Sequence, residues 1–298
     1  MERAKGILYA ALSSSTFGLA PLFTLLLLGL GYSSFEVLSY RWGVASLFLG
    51  ALALLAGRSF RLSWPELRTV FFLSLFRAAT SLSLVIAYQH IASGVASTIH
   101  FMYPLAVALA MMCFFREKGS VWVFAAIGMS IVGAVLLSLG NVDFTRGNTT
   151  LGMVSAAVSV VSYGGYIVGV RKSRAVGIDS TVLTCYVMGL GALYFIADGL
   201  VTGGIRIETD GTAWLCILGV ALPATAVSNM TLVQAIKRIG PTLTSVFGAL
   251  EPLTAVVIGV AVFGEPFTVQ GAAGILLIVA AVTIVILHLS LIHISEPT

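Results

Sequence analysis

Residues 6–18 read GILYAALSSSTFG, and residues 152–164 read GMVSAAVSVVSYG. Aligned at a separation of 146 residues (position 6 to position 152), the two stretches share five identical positions, and Phe17 falls on Tyr163. Further along, Pro104 falls on Pro252 at a separation of 148 residues. Similarity at a fixed separation indicates an internal duplication that covers most of the chain.

Long apolar runs dominate both copies. Charged residues make up only 9% of the chain, against about 25% in an ordinary soluble domain. A bilayer core requires about 20 apolar residues per helix. We therefore predict ten transmembrane helices, since backbone in lipid must satisfy its own hydrogen bonds. Their approximate ranges are 6–29, 35–57, 67–89, 93–115, 120–140, 150–170, 181–203, 212–235, 240–262 and 268–289.

The basic residues are distributed unevenly between the two sides of this arrangement. If both termini are cytoplasmic, twelve of the 16 Lys and Arg lie on the cytoplasmic side, and two, Arg146 and Arg206, lie outside. Such a bias is the usual determinant of membrane topology. It also accounts for the net charge of +4, so we expect no nucleic-acid partner.

Each copy contains five predicted helices, and an odd number inverts the second copy relative to the first. The sequence therefore predicts an all-α polytopic membrane protein with ten transmembrane helices, arranged as two inverted five-helix repeats around a central cavity. We assign residues 1–143 to the first repeat and 144–289 to the second. Inverted repeats with a site near the midplane are typical of secondary transporters.

A family resemblance lies in residues 232–268, LVQAIKRIGPTLTSVFGALEPLTAVVIGVAVFGEPFT. The helix end before Gly240, then Leu250-Glu251-Pro252 and Gly264-Glu265, resemble the second repeat of the EamA family of the drug/metabolite transporter superfamily. The first repeat carries a weaker version, with Tyr103 in place of an acidic residue and Glu117 aligned with Glu265. Within the family the chain looks most like the YddG-type exporters of aromatic amino acids. The resemblance implies a ten-helix basket that exports solutes across the bacterial inner membrane.

Other features limit what else the chain does. The last residues, 289–298, read LSLIHISEPT and look like translated sequencing-adapter sequence, so we treat 290–298 as a non-native tail without function. The sequence contains no GxxxxGK[ST] and no HExxH, and its three cysteines form no CxxC pair. We expect no cofactor and no metal. The expected partners are a small-molecule substrate and the lipid bilayer, and the chain is either a monomer or a homodimer.

Charged residues inside the predicted spans are candidates for function because their burial is costly. Arg77 lies half-way along the third span. It is interpreted as the cation for a substrate carboxylate, as a structural partner of Glu251, or as a side chain that snorkels to the interface. Glu251 lies near the midplane of the ninth span. It is interpreted as a proton site, as a partner for a substrate amine, or as a packing residue.

Aromatic and polar residues complete the predicted substrate-binding set. Arg41 is interpreted as a snorkelling residue in an aromatic belt, or as part of the outer mouth of the pathway. His100 is interpreted as a cavity group or as a satisfied buried histidine. Polar-aromatic stripes on the fourth and sixth spans suit aromatic or amphipathic solutes. The full set is Arg77, His100, Tyr103, Tyr163, Glu251, Tyr40, Arg41 and Tyr88.

The sequence thus predicts a secondary transporter that exports amino acids, chiefly aromatic or other apolar ones, or related small metabolites by alternating access. One alternative is a carrier of another solute class in the same superfamily, such as a drug or a phosphorylated sugar. A membrane-embedded enzyme is a further alternative, although it would need clustered catalytic carboxylates or histidines near one interface. We therefore expect no enzymatic activity.

The predicted topology is tested by reporter fusions. Fusions after residues 60, 118 and 175 are each expected to report a cytoplasmic location, because the basic loops flank all three positions. A fusion after residue 33, in a loop without Lys or Arg, is expected to report the periplasm. A periplasmic signal from any of the first three would contradict the helix count.

Overall fold

The computed structural model describes residues 2–91, 93–117, 119–138, 147–202, 204–263 and 268–295. Over these ranges all regular secondary structure is helical. Seven helical spans are long and apolar enough to cross a membrane, namely Glu2–Gly29, Ser34–Leu55, Trp64–His90, Val95–Phe115, Thr149–Lys172, Ser180–Thr202 and Gly211–Ile239. Two shorter apolar helices cover Val121–Leu136 and Val269–Ile284. The chain is therefore a polytopic helical membrane protein.

The helices follow one another closely along the chain. They are α1 Glu2–Phe17, α2 Ala20–Gly29, α3 Ser34–Leu55, α4 Trp64–His90, α5 Ser93–His100, α6 Tyr103–Phe115, α7 Val121–Ser138, α8 Thr149–Lys172, α9 Ser180–Thr202, α10 Gly211–Ala221, α11 Ser228–Ile239, α12 Pro241–Val246, α13 Leu250–Phe263 and α14 Val269–Ser295. Residues 264–267, which include the predicted Gly264-Glu265 motif, lie outside the described residues, as do Arg146 and residues 296–298.

Four of the predicted spans contain an interruption of the regular helix. The first span is divided between α1 and α2, and the fourth between α5 and α6. A π-helical turn, Leu222–Val227, separates α10 from α11, and a 3-10 turn, Phe247–Ala249, separates α12 from α13.

Prolines explain the position of these interruptions. Because proline has no N–H, it cannot donate to the carbonyl four residues before it, and its ring crowds that carbonyl. Pro21 and Pro104 lie at the starts of α2 and α6. The carbonyls that lose their helical donor to these two prolines belong to Phe17 and His100. The regular helix is therefore interrupted just after Phe17 and His100, whose side chains are buried in the protein interior.

Polar caps fix the starts of the helices that carry the interior polar residues. At the start of α3 the Glu36 backbone N–H donates to Ser33 Oγ at 3.2 Å, and the Ser33 N–H donates to the Glu36 carboxylate at 2.8 Å. Asn148 and Asp210 each accept a hydrogen bond from the backbone N–H three residues on, at 3.0 and 2.9 Å. These caps satisfy donors that a helix start otherwise leaves free.

Helices from the two halves of the chain, residues 2–138 and 147–295, pack against one another. The main pairs are α3 with α9, α4 with α8, α1 with α11 and α7 with α14, and α6 also packs on α12. Small residues allow this close approach. A Cβ placed on Gly6 would lie 2.5 Å from Ile239 Cγ2, and one placed on Gly152 would lie 2.7 Å from Ile91 Cγ2.

The contact of Gly6 with Ile239 and the contact of Gly152 with Ile91 are equivalent, because each joins one copy to the corresponding residue of the other. Gly6 and Gly152 are the aligned positions at 146 residues, and Ile91 and Ile239 are 148 residues apart. Thus α1 contacts the end of α11 in the way that α8 contacts the end of α4. Reciprocal contacts of this kind, in which each copy presents the same surface to the other, are the property of a two-fold arrangement.

Charged contacts join the loops at the two ends of the helices. At one end Arg58 Nε lies 3.6 Å from Asp179 Oδ2, and Arg238 Nε lies 3.1 Å from Glu2 Oε2. At the other end Arg206 Nε lies 3.1 Å from Glu36 Oε1. Arg206, predicted to lie outside, is therefore at the opposite helix ends from Arg58 and Arg238, which are predicted to lie inside.

The packing of α3 on α9 predicts a specific effect at Gly191. A Cβ on Gly191 would overlap the ring of Trp42, whereas a Cβ on Gly43 would have no atom within 4 Å. Gly191→Ala is expected to destabilise the protein by about 1–3 kcal/mol because the Trp42 ring must move. Gly43→Ala is the matched control, and it should be neutral or stabilising by up to about 1 kcal/mol because Ala favours helix more than Gly does. Thermal unfolding of both purified variants measures the difference, and equal melting temperatures would contradict this packing.

Candidate functional site

The interrupted helices enclose a group of polar and aromatic side chains, here called the central cluster. Its members are Phe17, Arg41, Arg77, His100, Tyr103, Tyr163, Tyr166, Thr225, Asn229 and Glu251, none of which is more than 9% exposed. They come from both halves of the chain. The cluster brings together six of the eight residues predicted from sequence, with a seventh, Tyr88, at its edge.

Arg77, on α4, is held by neutral groups. Its Nε donates to Asn229 Oδ1 at 2.7 Å, and one terminal nitrogen lies 3.5 Å from Ser81 Oγ. Among the residues that the structure describes, no carboxylate oxygen lies within 4.0 Å of an Arg77 nitrogen. The predicted ion pair with Glu251 is therefore wrong, and so is snorkelling, because the residue is 1% exposed. Its charge is oriented by its neighbours but not neutralised by them.

Aromatic rings surround the Arg77 guanidinium. Its central carbon lies 5.3 Å from the ring centroid of Phe17, 5.0 Å from that of Tyr163 and 5.9 Å from that of Tyr166. Cations within about 6 Å of an aromatic face are attracted by the ring quadrupole. Phe17 and Tyr163, the aligned pair of the duplication, also stack on each other with centroids 6.3 Å apart.

His100, Tyr103 and Glu251 form a second part of the cluster. His100 Nδ1 lies 2.8 Å from Ser159 Oγ, and its ring stacks on Tyr163 at 5.2 Å. His100 Nε2 has no hydrogen-bond partner in the described part of the chain, so the imidazole is only half satisfied. The Tyr103 hydroxyl donates to Glu251 Oε1 at 3.1 Å. This bond links the two residues that the duplication aligns with each other.

Arg41 lies inside the protein, and the snorkelling interpretation is wrong. The residue is 4% exposed. Its Nε donates to Thr225 Oγ1 at 2.6 Å, and its central carbon lies 5.8 Å from the ring centroid of Phe17. Because α3 packs against the π-helical turn that carries Thr225, the side chain turns inward. One terminal nitrogen of Arg41 is buried and has no hydrogen-bond partner among the residues that the structure describes.

Tyr88 and Tyr40 lie in different places. The Tyr88 hydroxyl is 3.4 Å from Ser97 Oγ at the edge of the cluster. Tyr40 belongs to a separate group near the helix ends, where its hydroxyl donates to the Arg206 carbonyl and accepts from the Glu208 N–H. Its ring packs edge-on against Trp214 at 5.9 Å. The structure therefore does not bring Tyr40 to the central cluster.

A small cavity adjoins the cluster at the helix interruptions. Its volume is about 30 Å³, and it is lined by Phe17, Gly18, Pro21, Tyr88, Ser97, His100, Phe101, Glu251 and Pro252. Sites for small molecules ordinarily measure about 300–1,000 Å³. This cavity is therefore too small to hold a metabolite.

Four cluster residues were not in the predicted set, namely Phe17, Tyr166, Thr225 and Asn229. Asn229, on the eighth predicted span, accepts its hydrogen bond from Arg77 on the third. Phe17 could have been found from its alignment with Tyr163, and Thr225 from its position 148 residues after Arg77. Across the described ranges, no three His, Cys, Asp or Glu side chains come together as metal ligands would.

Interrupted apolar helices around a buried ionic and aromatic centre describe a membrane protein with an interior polar site. The model of the EamA-like transporter family matches residues 4–139 and again residues 150–287. The chain belongs to this family, as the Leu250-Glu251-Pro252 motif indicated. The family points to a transporter rather than an enzyme.

Relatives and a solved structure agree with this assignment. The chain is 26% identical over 276 residues to the uncharacterized transporter YojE of Bacillus subtilis, covering 90% of this chain and 88% of that protein. An uncharacterized transporter of Archaeoglobus fulgidus is 25% identical over 238 residues, covering 80% and 83%. A crystal structure with 20% sequence identity superposes with a TM-score of 0.77 over 95% of both chains, which shows a shared fold.

The hydrogen bond between Tyr103 and Glu251 predicts strong energetic coupling. Tyr103→Phe removes the donor and leaves a buried carboxylate short of a partner, which should cost about 1–3 kcal/mol. Glu251→Gln should cost less in the Tyr103→Phe background than in the wild type. A double-mutant cycle on thermal stability is expected to give a coupling of about 0.5–3 kcal/mol. Additive effects of the two substitutions would contradict the contact.

Proposed function

We propose that this chain is a secondary carrier that exports amino acids, chiefly aromatic or other apolar ones, or related small metabolites across the bacterial inner membrane by alternating access. The observation that carries the proposal is the Arg77 guanidinium, which is 1% exposed and held only by neutral side chains. A buried charge that no carboxylate contacts is costly in a membrane. A substrate carboxylate supplies that counter-charge and matches the donor geometry of a guanidinium.

The rings around Arg77 suit the rest of such a substrate. Phe17 and Tyr163 place aromatic faces within 6.3 Å of each other, and His100 stacks on Tyr163. Planar or apolar side chains pack favourably on such faces. The site therefore combines a charged anchor for the carboxylate with an apolar wall for the side chain.

The proposed architecture is ten transmembrane helices in two inverted five-helix repeats, with both termini in the cytoplasm. The reciprocal contacts of Gly6 and Gly152 support it. In a two-fold arrangement, residues near the axis meet their own counterparts, as Phe17 meets Tyr163 and Tyr103 meets Glu251. The central cluster would then lie at the interface of the repeats, where transporters of this construction bind their substrates.

Alternating access requires that helices bend near the site, and the interruptions supply the bending points. The breaks after Phe17 and His100 and the π-helical turn that contains Thr225 all border the cluster. Irregular backbone of this kind absorbs large changes of dihedral angle at hinges. Movement of one repeat against the other about these points would open the centre to each side in turn.

Substitution of Arg77 tests the proposal. Removal of a guanidinium that binds a buried carboxylate costs about 2–5 kcal/mol, so Arg77→Ala should lower the transport efficiency for aromatic amino acids in proteoliposomes about 30-fold or more. Arg77→Lys should retain part of the activity, because it keeps the charge but lacks the bidentate fork.

The control is Arg68→Ala at the membrane surface, which should transport like the wild type. Size-exclusion profiles and melting temperatures establish that each variant is folded. Wild-type transport by a folded Arg77→Ala variant would remove this residue from the site and would contradict the proposal.

A further inference from the structure

The central cluster contains two guanidinium groups and one carboxylate. Arg41 and Arg77 are 4% and 1% exposed, and Glu251 is 9% exposed. The central carbons of the two guanidiniums lie 5.8 and 5.3 Å from the centroid of the same Phe17 ring. The cluster therefore has one positive charge in excess when Glu251 is ionised, and two when it is protonated.

The excess charge has no counter-charge among the described residues. The ion pairs in this part of the chain involve Glu2, Glu36 and Asp179, and none of them includes Arg41 or Arg77. Glu251 instead accepts a hydrogen bond from Tyr103. At the periphery, by contrast, Arg206 is paired with Glu36 although its side chain is 44% exposed. The arginines that most need a carboxylate in a low-dielectric interior are those that lack one.

Three polar atoms of the cluster also lack hydrogen-bond partners among the described residues. A terminal nitrogen of Arg41, the Tyr166 hydroxyl and His100 Nε2 are buried without partners in the described residues. The arginine nitrogen is only a donor, and the hydroxyl is able to donate. Buried polar atoms are normally paired, so the arginine nitrogen and the hydroxyl are matched by a ligand that carries acceptor oxygens.

We infer that the central site recognises a ring-bearing carboxylic acid with a net negative charge, whose amino group is acylated or absent, in preference to a zwitterionic amino acid. This inference rests on the proposed function and narrows its substrate class. A zwitterion adds no net charge and leaves the excess in place, whereas a monoanion neutralises it when Glu251 is ionised. Protonation of Glu251 makes the requirement for an anion stronger. Arg77 and Arg41 supply the charge, and Phe17 and Tyr163 pack on the ring.

Three probes with one side chain and different charges test the inference. They are N-acetylphenylalanine, a monoanion; phenylalanine, a zwitterion; and phenylalaninamide, a cation. In proteoliposomes of the wild-type protein, the kcat/KM for N-acetylphenylalanine should exceed that for phenylalanine by about tenfold or more, a difference of about 1.4 kcal/mol. Phenylalaninamide should be the poorest substrate. Stabilisation of the detergent-purified protein against heat should follow the same order.

Variants of Arg41 test whether the preference for the monoanion over the zwitterion depends on the charge of this residue. Arg41→Gln should reduce the ratio between the two acids to near unity, and Arg41→Lys should keep most of it. Arg58→Gln is the matched control, because Arg58 is exposed at the helix ends and pairs with Asp179; it should leave the ratio unchanged. An unchanged ratio in folded Arg41→Gln would overturn the role of Arg41.

The wild-type ranking decides the inference even if the Arg41 variants do not fold. Equal or better transport of phenylalanine would overturn the inference and leave the proposed function in place. Transport of none of the three probes would overturn both.

Discussion

The hydrogen bond from Arg77 to Asn229 is the contact on which the centre of this protein depends. It joins α4 to α11, and so joins the two halves of the chain in their interior. Because the amide is neutral, it fixes the direction of the guanidinium without cancelling its charge. A carboxylate in the same place would have paired with the guanidinium and cancelled its charge. The neutral partner leaves an oriented charge in the buried interior, where electrostatic attraction is stronger than in water.

Much of the fold could be predicted from the sequence because lipid imposes simple constraints. The apolar runs at α3, α4, α8 and α9 are continuous helices near the predicted bounds, since the length of a run is set by the thickness of the bilayer. The interruptions in other spans were missed. Pro104 and Pro21 are visible in the sequence, but whether a proline bends a helix or divides it depends on which neighbours satisfy the freed carbonyl, and those neighbours come from elsewhere in the chain.

The residues of the site were easier to predict than their partners. Arg77, His100, Tyr103, Tyr163 and Glu251 come together, since a polar side chain in an apolar run must turn inward. One of the interpretations of Arg77 paired it with Glu251 because they have opposite charges, yet Glu251 meets Tyr103 instead. One of the two interpretations of Arg41 placed it at the interface because of its aromatic neighbours. The spacing of residues shows which side chains share a face of a helix. It does not show which neighbouring helix that face contacts, so these pairings could not be predicted from one sequence.

The bond between Tyr103 and Glu251 has a consequence for the energetics of a carrier built from two copies. In the proposed inverted arrangement, two copies of identical sequence would be interchangeable, and conformations that face opposite sides of the membrane would have equal free energy. Here the aligned positions differ in chemistry, as do Phe17 and Tyr163, and Arg77 and Thr225. The two copies match along their helices, but the aligned residues in the central cluster differ. For the proposed carrier, this inequality would favour one side of the membrane at rest, and it would favour one orientation of an asymmetric solute.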